Sequence, residues 1–352
     1  MDQTPKNYTV ESVTSGHPDK VCDQISDAIL DACLAQDPYS RVAVESFGGH
    51  NVLIIGGEIT TKAEVDFERI AREVYKKIGY NHDLKIITNV VKQSPDISQG
   101  VDTGGAGDQG IMYGYATDET EEFLPLAVVM AHKLTKGLED LRKSGEIYWL
   151  KPDGKSQVTI ENGKVKTILI STQHEDGVGQ EEIKKELTEK LIRPLLSSSD
   201  GVEILVNPTG RFVLGGFEAD TGLTGRKIMV DTYGGLIQHG GGAFSGKDAT
   251  KVDRSAAYMA RFVAKNLVAN KLAKNCLVSV AYAIGRAEPV MIEAVNEKGE
   301  DLSEIAKKNF DFRPKAIMER LGLRRPIFSE TASYGHFGKK GLPWEEIVEI
   351  RT

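Results

Sequence analysis

Apolar residues recur at helical spacing near the beginning of the chain, over Pro18–Gln36. Val21, Ile25 and Ile29 follow one another every four residues, so they share one face of a helix. The segment begins with a proline, which suits the first turn of a helix, and Asp19 suits the positive end of the helix dipole. The pattern predicts an amphipathic helix with these bounds.

Two β-strands and a second helix are predicted to follow this first helix. Arg41–Phe47 and Val52–Thr60 are strand-like runs on either side of a turn sequence, Gly48–Asn51. Lys62–Ile78 then returns to roughly helical spacing of apolar residues. The predicted order is therefore helix, hairpin, helix.

A similar order returns twice more along the chain. In the middle third, the predicted helices and strands are Glu119–Arg142, Glu146–Leu150, Ser156–Ile160, Lys164–Ser171 and Gln180–Leu195. In the last third, they are Asp253–Leu272, Cys276–Ile284, Pro289–Val295, Leu302–Lys308 and Pro314–Leu321. These patterns predict an α/β fold of the α+β type, made of three related helix–hairpin–helix domains at 5–98, 99–213 and 214–352. Each sheet would turn one face to helices and the other to a neighbour or partner chain.

Composition narrows the class of protein. The chain has 352 residues, enough for two or three domains, and a formal net charge of −7, which argues against a nucleic-acid binder. It carries three cysteines without a repeated spacing, the pattern of reduced thiols in a cytosolic protein. The sequence shows neither a signal-peptide pattern nor an apolar stretch of membrane-spanning length. We therefore expect a cytoplasmic protein with neither nucleic-acid nor membrane partners.

The 36 glycines are concentrated in a few loops between the predicted domains. In the first of these loops, His17, Asp19 and Lys20 stand at the predicted start of a helix. Free backbone N–H groups there favour a phosphate, and Asp19 would need a Mg²⁺ ion between itself and that anion. The alternative is that Asp19 caps the helix and His17 belongs to a turn. The loop alone does not decide between these interpretations.

A second loop resembles a phosphate-binding P-loop incompletely. Gly241 and the pair Gly246–Lys247 fit the spacing of that motif, but Asp248 replaces the Ser or Thr that would hold Mg²⁺. The sequence therefore disfavours a P-loop nucleotidase. It still favours phosphate binding, because Lys251 and Arg254 follow closely, and the alternative is a solvated, charged helix start.

Two further short segments carry charge. Arg226 and Lys227 precede an apolar run, Ile228–Val230, that is predicted as a strand, so their side chains point to opposite faces unless Gly225 bends the chain. Asp153–Lys155 has the composition of a hairpin turn. The sequence contains no recognisable motif for a nucleophile with its base.

Several segments together resemble the methionine adenosyltransferase (S-adenosylmethionine synthetase) family. They occur in the family's order along the chain, and as an ordered set they are highly specific. They are Gly16–Lys20 (GHPDK), Gln93–Asp96, Gly105–Gly110 (GAGDQG), Thr209–Phe212, Gly222–Lys227 (GLTGRK) and Gly240–Ala257.

The resemblance implies a fold and a reaction. The fold would be three related α/β domains in a pseudo-threefold arrangement, with sheets packed at a dimer interface, active sites between subunits, and a dimer or tetramer overall. The reaction would join ATP and L-methionine into S-adenosylmethionine and hydrolyse the triphosphate to phosphate and pyrophosphate, with two Mg²⁺ ions per site and K⁺. The methionine sulfur carries no proton, so this chemistry needs cations rather than a nucleophile–base pair.

The resemblance also assigns roles to individual residues. The catalytic residues would be His17, Lys155, Arg226, Lys227 and Lys247. The ATP site would contain His17, Asp153, Gly154, Lys155, Arg211, Phe212, Asp220, Arg226, Lys227, Ala243, Lys247 and Ile284. Methionine would be bound by Glu58, Gln93, Asp108, Asp220 and Lys251. Asp19 and Asp253 would hold Mg²⁺, and Glu45 would hold K⁺.

Some positions depart from the family pattern. Only Thr103 and Gly104 separate Asp102 from Gly105, which makes a short lid loop, and Ser15 stands where an acidic residue is usual. Two other functions stay open at this point. One is an ATP-dependent phosphotransferase using the Gly241–Lys247 loop, and the other is a nucleotide-binding regulator without catalytic activity.

Overall fold

The computed structural model describes residues 5–92, 105–196, 198 and 200–351. Its strands are β1 Asn7–Val13, β2 Arg41–Gly49, β3 Val52–Thr60, β4 Lys85–Val91, β5 Gly110–Thr117, β6 Leu150–Glu161, β7 Lys164–His174, β8 Glu203–Val206, β9 Gly222–Leu223, β10 Asn275–Tyr282 and β11 Met291–Asn296. Its α-helices are α1 Pro18–Gln36, α2 Phe67–Ile78, α3 Leu126–Lys143, α4 Gln180–Leu187, α5 Ile228–Asp231, α6 Val252–Ala269, α7 Ser303–Asn309 and α8 Pro314–Arg320.

The first helix has the predicted bounds. Its apolar stripe, which includes Val21, Ile25 and Ile29, is fully buried, and α1 packs against β2 and α2. The second helix begins at Phe67 rather than at Lys62, because the carboxylate of Asp66 accepts a hydrogen bond from the backbone of the first turn and caps the helix there.

Three sheets form the framework of the part of the chain that the structure describes; the first two are mixed and the third is antiparallel. The first has the strand order β4-β3-β2-β9, the second β1-β6-β7-β8, and the third β11-β10-β5. Each carries an antiparallel hairpin: β2–β3, β6–β7 or β10–β11. One long helix packs on each sheet: α1 on the first, α3 on the second and α6 on the third.

Each sheet contains one strand that comes from another part of the chain. These exchanges run from the first part to the second sheet, from the second part to the third sheet, and from the third part back to the first sheet. Strand β1 pairs with β6 of the second sheet, β5 pairs with β10 of the third, and β9 pairs with β2 of the first. In each case the exchanged strand leads towards the long helix of its own part of the chain. The three sheets are therefore interlocked, and each depends on residues that are distant in sequence.

Several sequence predictions of elements are wrong. The apolar run Ile228–Val230 is not a strand but part of the helical turn α5, in which the amide of Asp231 donates to the carbonyl of Lys227 at 2.8 Å. Asp153–Lys155 is not a hairpin turn, because it lies inside β6. The helix predicted from Glu119 begins only at Leu126, directly after a proline.

The other predicted helices and strands lie close to the observed ones, with two exceptions at their bounds. The strand predicted at Glu146–Leu150 overlaps β6 only at Leu150. The helix predicted to Leu195 changes character after α4, because Thr188–Ile192 forms a π-helical turn and Arg193–Leu195 a 3₁₀ turn. Strands β1, β4, β5, β8 and β9 were not predicted.

Helix α6 lies at the centre of the C-terminal part and is buried along nearly its whole length. Tyr258 stacks on Trp344 with ring centroids 3.8 Å apart. The buried Arg261 forms an ion pair with Glu345 at 2.9 Å. These contacts attach the C-terminal segment to the helix that carries Asp253. In the part of the chain that the structure describes, no helix is both long and apolar enough to cross a membrane.

Candidate active site

Three charged or ionisable side chains from two distant segments meet around the carboxylate of Asp19. Its Oδ2 atom accepts a hydrogen bond from Lys227 Nζ at 2.5 Å, and its Oδ1 atom accepts one from the backbone of Leu223 at 2.9 Å. Arg226 Nε lies 3.8 Å from Oδ1, and His17 Nδ1 lies 4.0 Å from Oδ2. We call His17, Asp19, Arg226 and Lys227 the Asp19 cluster.

The cluster joins the first turn of α1 to the loop before α5. Gly222 packs so closely on the backbone of Pro18 that an added Cβ would lie 2.2 Å from it. One residue beyond Asp19, the buried Lys20 donates to Asp23 at 2.9 Å and to Asp231 at 2.5 Å. These contacts hold the first turn of α1 against the loop before α5 and against α5 itself.

Lys20 is a residue whose role the sequence reasoning missed. Burial acts to lower its pKa, but the carboxylates of Asp23 and Asp231 outweigh burial and raise the pKa above its ordinary value. The ammonium group is therefore charged and fully neutralised inside the protein. Its spacing to Asp23, three residues along a helix, was a visible signal, whereas Asp231 lies too far along the chain to be inferred.

The electrostatics of the cluster keep His17 neutral and Asp19 ionised. Burial, followed by the ammonium groups of Lys227 and Lys155, lowers the pKa of His17 to about 3. Burial acts to raise the pKa of Asp19, but the hydrogen bonds from Lys227 and Leu223 outweigh it and hold the pKa below its ordinary value. The backbone amide of Asp19 donates to His17 Nδ1 at 3.2 Å. The ring proton of His17 therefore sits on Nε2, which is free to donate to a ligand.

Asp153, Gly154 and Lys155 lie on β6 beside this cluster. Val13, which precedes the loop of His17, is paired in register with Lys155. Asp153 Oδ2 accepts a hydrogen bond from the backbone of Gly216 at 2.9 Å, but its Oδ1 atom is buried and has no partner among the described residues. Burial raises the pKa of Asp153 to about 6 although the Gly216 bond acts against it. An unsatisfied buried acceptor of this kind is suited to a donor on a ligand.

Lys247 and Asp253 form a second ion pair near the cluster. Lys247 Nζ donates to Asp253 Oδ2 at 2.6 Å. The other oxygen, Oδ1, faces two glycines, since a Cβ on Gly242 would lie 2.2 Å from it and a Cβ on Gly110 would lie 3.7 Å away. The carboxylate of Asp253 thus lies in a cradle that a side chain would fill. We call this the Asp253 pair.

The Asp19 cluster and the Asp253 pair are joined through neighbouring loops. A Cβ on Gly225, in the loop of Lys227, would lie 2.4 Å from the Cβ of Ala243, in the loop of Lys247. The backbone of Lys247 also forms an isolated antiparallel β-bridge with Ala43 of β2, and Ala43 is paired with Glu58 of β3. The structure therefore brings Ala243 and Glu58 next to the residues that carry the charges.

The remaining predicted site residues lie in more peripheral positions. Asp108 and Ile284 are exposed, and they lie on two loops that Ala106 joins through backbone hydrogen bonds to Gly285 and Arg286. Asp220 is exposed and follows the turn that carries Gly216. Glu45 is exposed on β2, opposite Gly56.

Two further predicted cations, Arg211 and Lys251, pair with carboxylates outside the Asp19 cluster and the Asp253 pair. Arg211 forms an exposed ion pair with Asp176 at 3.2 Å, while its neighbour Phe212 is bonded through its backbone to His174. Lys251 forms a close ion pair with the buried carboxylate of Asp248. Gln93 and the short lid loop lie outside the described residues.

The Gly241–Lys247 loop does not have the geometry of a P-loop. It does not lead from a strand directly into a helix, since α6 begins only at Val252. Asp248 stabilises the neighbouring sheet, because its carboxylate accepts a hydrogen bond from the backbone of Val42 at 2.7 Å. Asp248, which stands where the P-loop motif has Ser or Thr, therefore has a structural role at the edge of β2.

The carboxylates fit a metal bound together with a polyphosphate better than a metal held by protein alone. Among the described residues, no group of three or more His, Cys, Asp or Glu side chains could hold a metal ion. Asp19 and Asp253 each provide one carboxylate beside a lysine. Mg²⁺ commonly takes one or two carboxylates and completes its shell with phosphate oxygens and water, so this donor set fits Mg²⁺ on a nucleotide.

Comparison with known proteins places this arrangement in a family. Three family models match in succession: S-adenosylmethionine synthetase, N-terminal domain, at 6–98, its central domain at 103–212, and its C-terminal domain at 214–346. An S-adenosylmethionine synthase of Mesoplasma florum is 53% identical over 373 residues, covering 99% of each chain. The synthases of Mycoplasma capricolum and Thermus thermophilus are 51% and 50% identical, each covering 98% of this chain and 96% of its own.

Fold and site together define an α/β protein whose loops bring charged side chains from distant parts of the chain together. The three successive models and the full-length relatives are more specific. The chain belongs to the S-adenosylmethionine synthetase family, and the family predicted from its motifs is confirmed. The three-domain architecture of mixed α/β structure is confirmed with it.

Proposed function

We infer that the chain is a methionine adenosyltransferase, which synthesises S-adenosylmethionine from ATP and L-methionine. Its similarity to synthases extends over nearly its whole length and theirs. The reaction and enzyme class predicted from the motifs are thereby confirmed, whereas the phosphotransferase alternative has no support from the comparisons.

The observation that carries the mechanism is the convergence at Asp19. His17 and Asp19 come from the start of α1, and Arg226 and Lys227 come from a loop two hundred residues further along. Two cations, one carboxylate and one neutral imidazole in a single place suit a polyphosphate with its metal. The same set is poorly suited to proton abstraction, since burial and the neighbouring ammonium groups lower the pKa of the imidazole to about 3 and make it a weak base.

This inventory matches the chemistry of the reaction. The thioether sulfur of methionine attacks C5′ of the ribose, the C5′–O bond breaks, and triphosphate leaves with the bonding electrons. No proton is removed from sulfur, so a general base is not required. The barrier lies in the negative charge that accumulates on triphosphate, and fixed cations aimed at that charge lower it. We assign this role to Lys155, Arg226, Lys227 and Lys247.

His17 has a separate role in this proposal. Because its Nδ1 atom accepts from the backbone of Asp19, its Nε2–H is the available donor. We assign that donor to the bridging region of the leaving triphosphate, where a neutral hydrogen bond strengthens as charge develops. The unpartnered Oδ1 of Asp153 supports a place for ATP beside it, together with Gly154, Arg211, Phe212, Ala243 and Ile284.

Methionine is a zwitterion and needs groups of both signs. We assign its polar end to Glu58, Gln93, Asp108, Asp220 and Lys251. The proximity of Glu58 to Lys247 through Ala43 supports one half of this assignment. For Lys251 to take part, its ion pair with Asp248 must open or be shared with the ligand.

Asp19 and Asp253 would hold two Mg²⁺ ions, and Glu45 would hold K⁺. Mg²⁺, when bound, neutralises charge on the triphosphate. With a metal on each carboxylate, Lys227 and Lys247 would be released to bind phosphate oxygens. We expect Asp19→Asn to raise the Mg²⁺ concentration needed for half-maximal activity, and an unchanged titration would remove Asp19 from the metal site.

A second copy of the chain is the proposed partner. Phe47 of β2, Ile54 of β3 and Ile87 of β4 lie side by side in register on the first sheet, and all three are more than a third exposed. An apolar row on a sheet face is typical of a surface that another molecule covers. We propose that these sheets meet in a dimer, with active sites between the subunits, and that dimers can pair into tetramers.

The cyclic exchange of strands supports a pseudo-threefold arrangement of the three helix–hairpin–helix domains, with boundaries at 5–98, 99–213 and 214–352. We also propose a cytoplasmic location, which the three buried, unpaired cysteines support.

Mass spectrometry of the products tests the function directly. The protein is incubated with ATP, L-methionine, Mg²⁺ and K⁺, and each component is omitted in turn. We expect S-adenosylmethionine, phosphate and pyrophosphate in equal amounts. ADP or AMP with a phosphorylated or adenylated acceptor would instead indicate a phosphotransferase or adenylating enzyme. ATP binding without methionine-dependent turnover would indicate a non-catalytic regulator.

A further inference from the structure

A cavity of about 530 Å³ lies between α3 and the C-terminal segment 329–339. None of its lining residues belongs to the ATP, methionine or metal sites assigned above. One wall is formed by Ser15, two residues before His17. The volume is in the range of cavities that bind small organic molecules.

The cavity has an apolar body and a cationic rim. Leu124, Val129, Phe337 and the ring of Tyr334 provide most of the apolar wall. Five lysines line it against three glutamates, so positive charge is in excess. The charged lining residues are Lys77, Lys133, Lys136, Lys143, Lys339, Glu122, Glu139 and Glu330.

Lys339 is a partly buried lysine of this lining that makes no ion pair within the described residues. Lys133 and Lys143 are already neutralised, because they pair with Glu122 at 2.8 Å and Glu139 at 2.6 Å. Lys339 Nζ instead donates to two backbone carbonyls, those of Glu330 and Ser333, both at 2.6 Å. An ammonium group has three protons, so one remains for a ligand.

The nearby carboxylates of Asp231, Glu330 and Asp27 compensate the charge of Lys339 only in part. Burial, followed by the nearby ammonium group of Lys20, lowers the pKa of Lys339 to about 7. An anion in the cavity would supply the missing countercharge and favour the protonated amine.

The wall of the cavity is connected to the loop of His17 by a closed set of hydrogen bonds. The backbone amide of Ser15 donates to the hydroxyl of Tyr334 at 3.1 Å, and Ser15 Oγ donates to Glu139 at 2.9 Å. The hydroxyl of Tyr334 donates to the other oxygen of Glu139 at 2.8 Å. Tyr334 has a φ of 59°, a conformation that is costly for a bulky residue and is kept only where the surroundings hold it.

We propose that this cavity is an effector site for a small amphipathic organic anion. The anionic group binds Lys339, the apolar body lies between Leu124 and Phe337, and occupancy alters turnover through Tyr334 and Ser15. The proposed binding of the anion does not depend on which reaction the enzyme catalyses, whereas the proposed effect on turnover rests on the role proposed for His17.

Binding is tested with 8-anilinonaphthalene-1-sulfonate, a fluorescent aromatic sulfonate, on the full-length enzyme. The titration includes Mg²⁺ and a non-hydrolysable ATP analogue, so that the nucleotide site is filled. We expect Lys339→Met to weaken the probe's affinity by about tenfold, since a charge-assisted hydrogen bond is lost. The control Lys340→Met removes an adjacent exposed lysine and should leave the affinity unchanged.

Equal affinities in the two variants would overturn the proposed site. If Lys339→Met fails to fold, Lys339→Gln, which can still donate to the carbonyls, replaces it with the same expectation. Because this readout needs no turnover, an inactive enzyme that binds the probe separates failure of the proposed reaction from failure of this site.

The coupling is tested by measuring turnover at saturating ATP and methionine, with and without the probe. We expect bound probe to change kcat by at least twofold in the wild type. In Tyr334→Phe the ring stays but the hydroxyl is lost, so the probe should bind with similar affinity while its effect on kcat disappears. An unchanged wild-type kcat, or an equal change in Tyr334→Phe, would refute the coupling.

Discussion

Replacing Gly242 by alanine is a direct test of the position of Asp253. The added Cβ would lie 2.2 Å from Asp253 Oδ1 and 2.8 Å from Asp253 Cβ. Because the second contact involves the atom nearest the backbone, rotating the carboxylate relieves only part of the overlap. Real Cβ contacts stay above 3.0 Å, so the carboxylate must move by at least about 0.8 Å.

A displacement of this size predicts a large loss of activity with little loss of stability. Misplacing a catalytic group by about 1 Å can cost on the order of 100-fold in rate. We therefore expect kcat/KM for ATP to fall by about 100-fold, which corresponds to about 2.7 kcal/mol of transition-state stabilisation. The Mg²⁺ concentration for half-maximal activity should rise as well, because Asp253 is a proposed ligand.

The assay is the rate of S-adenosylmethionine formation across ATP and Mg²⁺ titrations, with thermal unfolding measured in parallel. Gly179→Ala is the matched control, because Gly179 has a φ of −73° and an added Cβ there meets nothing within 4 Å. The control should keep wild-type kinetics. If Gly242→Ala also stays within twofold of the wild-type kcat/KM, the carboxylate of Asp253 does not act at the position seen here.

Three further predictions concern the imidazole, a buried carboxylate and a buried ion pair. His17→Ala should slow S-adenosylmethionine formation by about 100- to 1,000-fold while changing the ATP Kd by less than threefold, since the lost donor acts on the leaving group; equal losses in both would contradict this role. Asp153 has a folded-state pKa of about 6, above its ordinary 3.8, so the folded protein holds this proton more tightly than the unfolded chain. Its contribution to stability is therefore present at low pH and is lost as the pH rises through 6. Asp153→Asn should gain stability relative to the wild type between pH 4 and pH 7, and ATP binding in the wild type should weaken below pH 6; pH-independent differences in urea unfolding and ATP titration would refute both. Glu345→Gln should lower the free energy of unfolding by about 3–5 kcal/mol, because it leaves Arg261 and a neighbouring lysine buried without a counter-ion. The exposed neighbour Glu346→Gln is the control, and a similar small loss in both variants by urea unfolding would show that the ion pair is not needed.

Local elements of the fold could be predicted where the chemistry is local. The bounds of α1 follow from its apolar stripe and from a proline at its first position. Strand β1 could not be found in this way, because its seven residues alternate weakly and its partner β6 lies far along the chain. The run at Ile228 was wrongly predicted as a strand, since three apolar residues fit either structure and the hydrogen bond from Asp231 to Lys227 decides for a helical turn.

In the candidate site, too, local features could be predicted from the sequence and contacts between distant segments could not. The sequence indicated which loops carry charge, and the family resemblance supplied roles for their residues. It could not show that Lys227 bonds to Asp19, because that contact depends on how two loops pack in three dimensions. The need for glycine at position 242 was hidden for the same reason, since it arises from an oxygen atom on a helix eleven residues later.

The cyclic exchange of strands determines when each part of the chain can reach its native structure during synthesis. Val10 is made long before its partner Val158, and Phe47 waits for Leu223. The first sheet is therefore completed after the second, although most of its strands leave the ribosome earlier. Until then the nascent chain exposes open strand edges, which are the surfaces through which unfinished chains aggregate or recruit a chaperone.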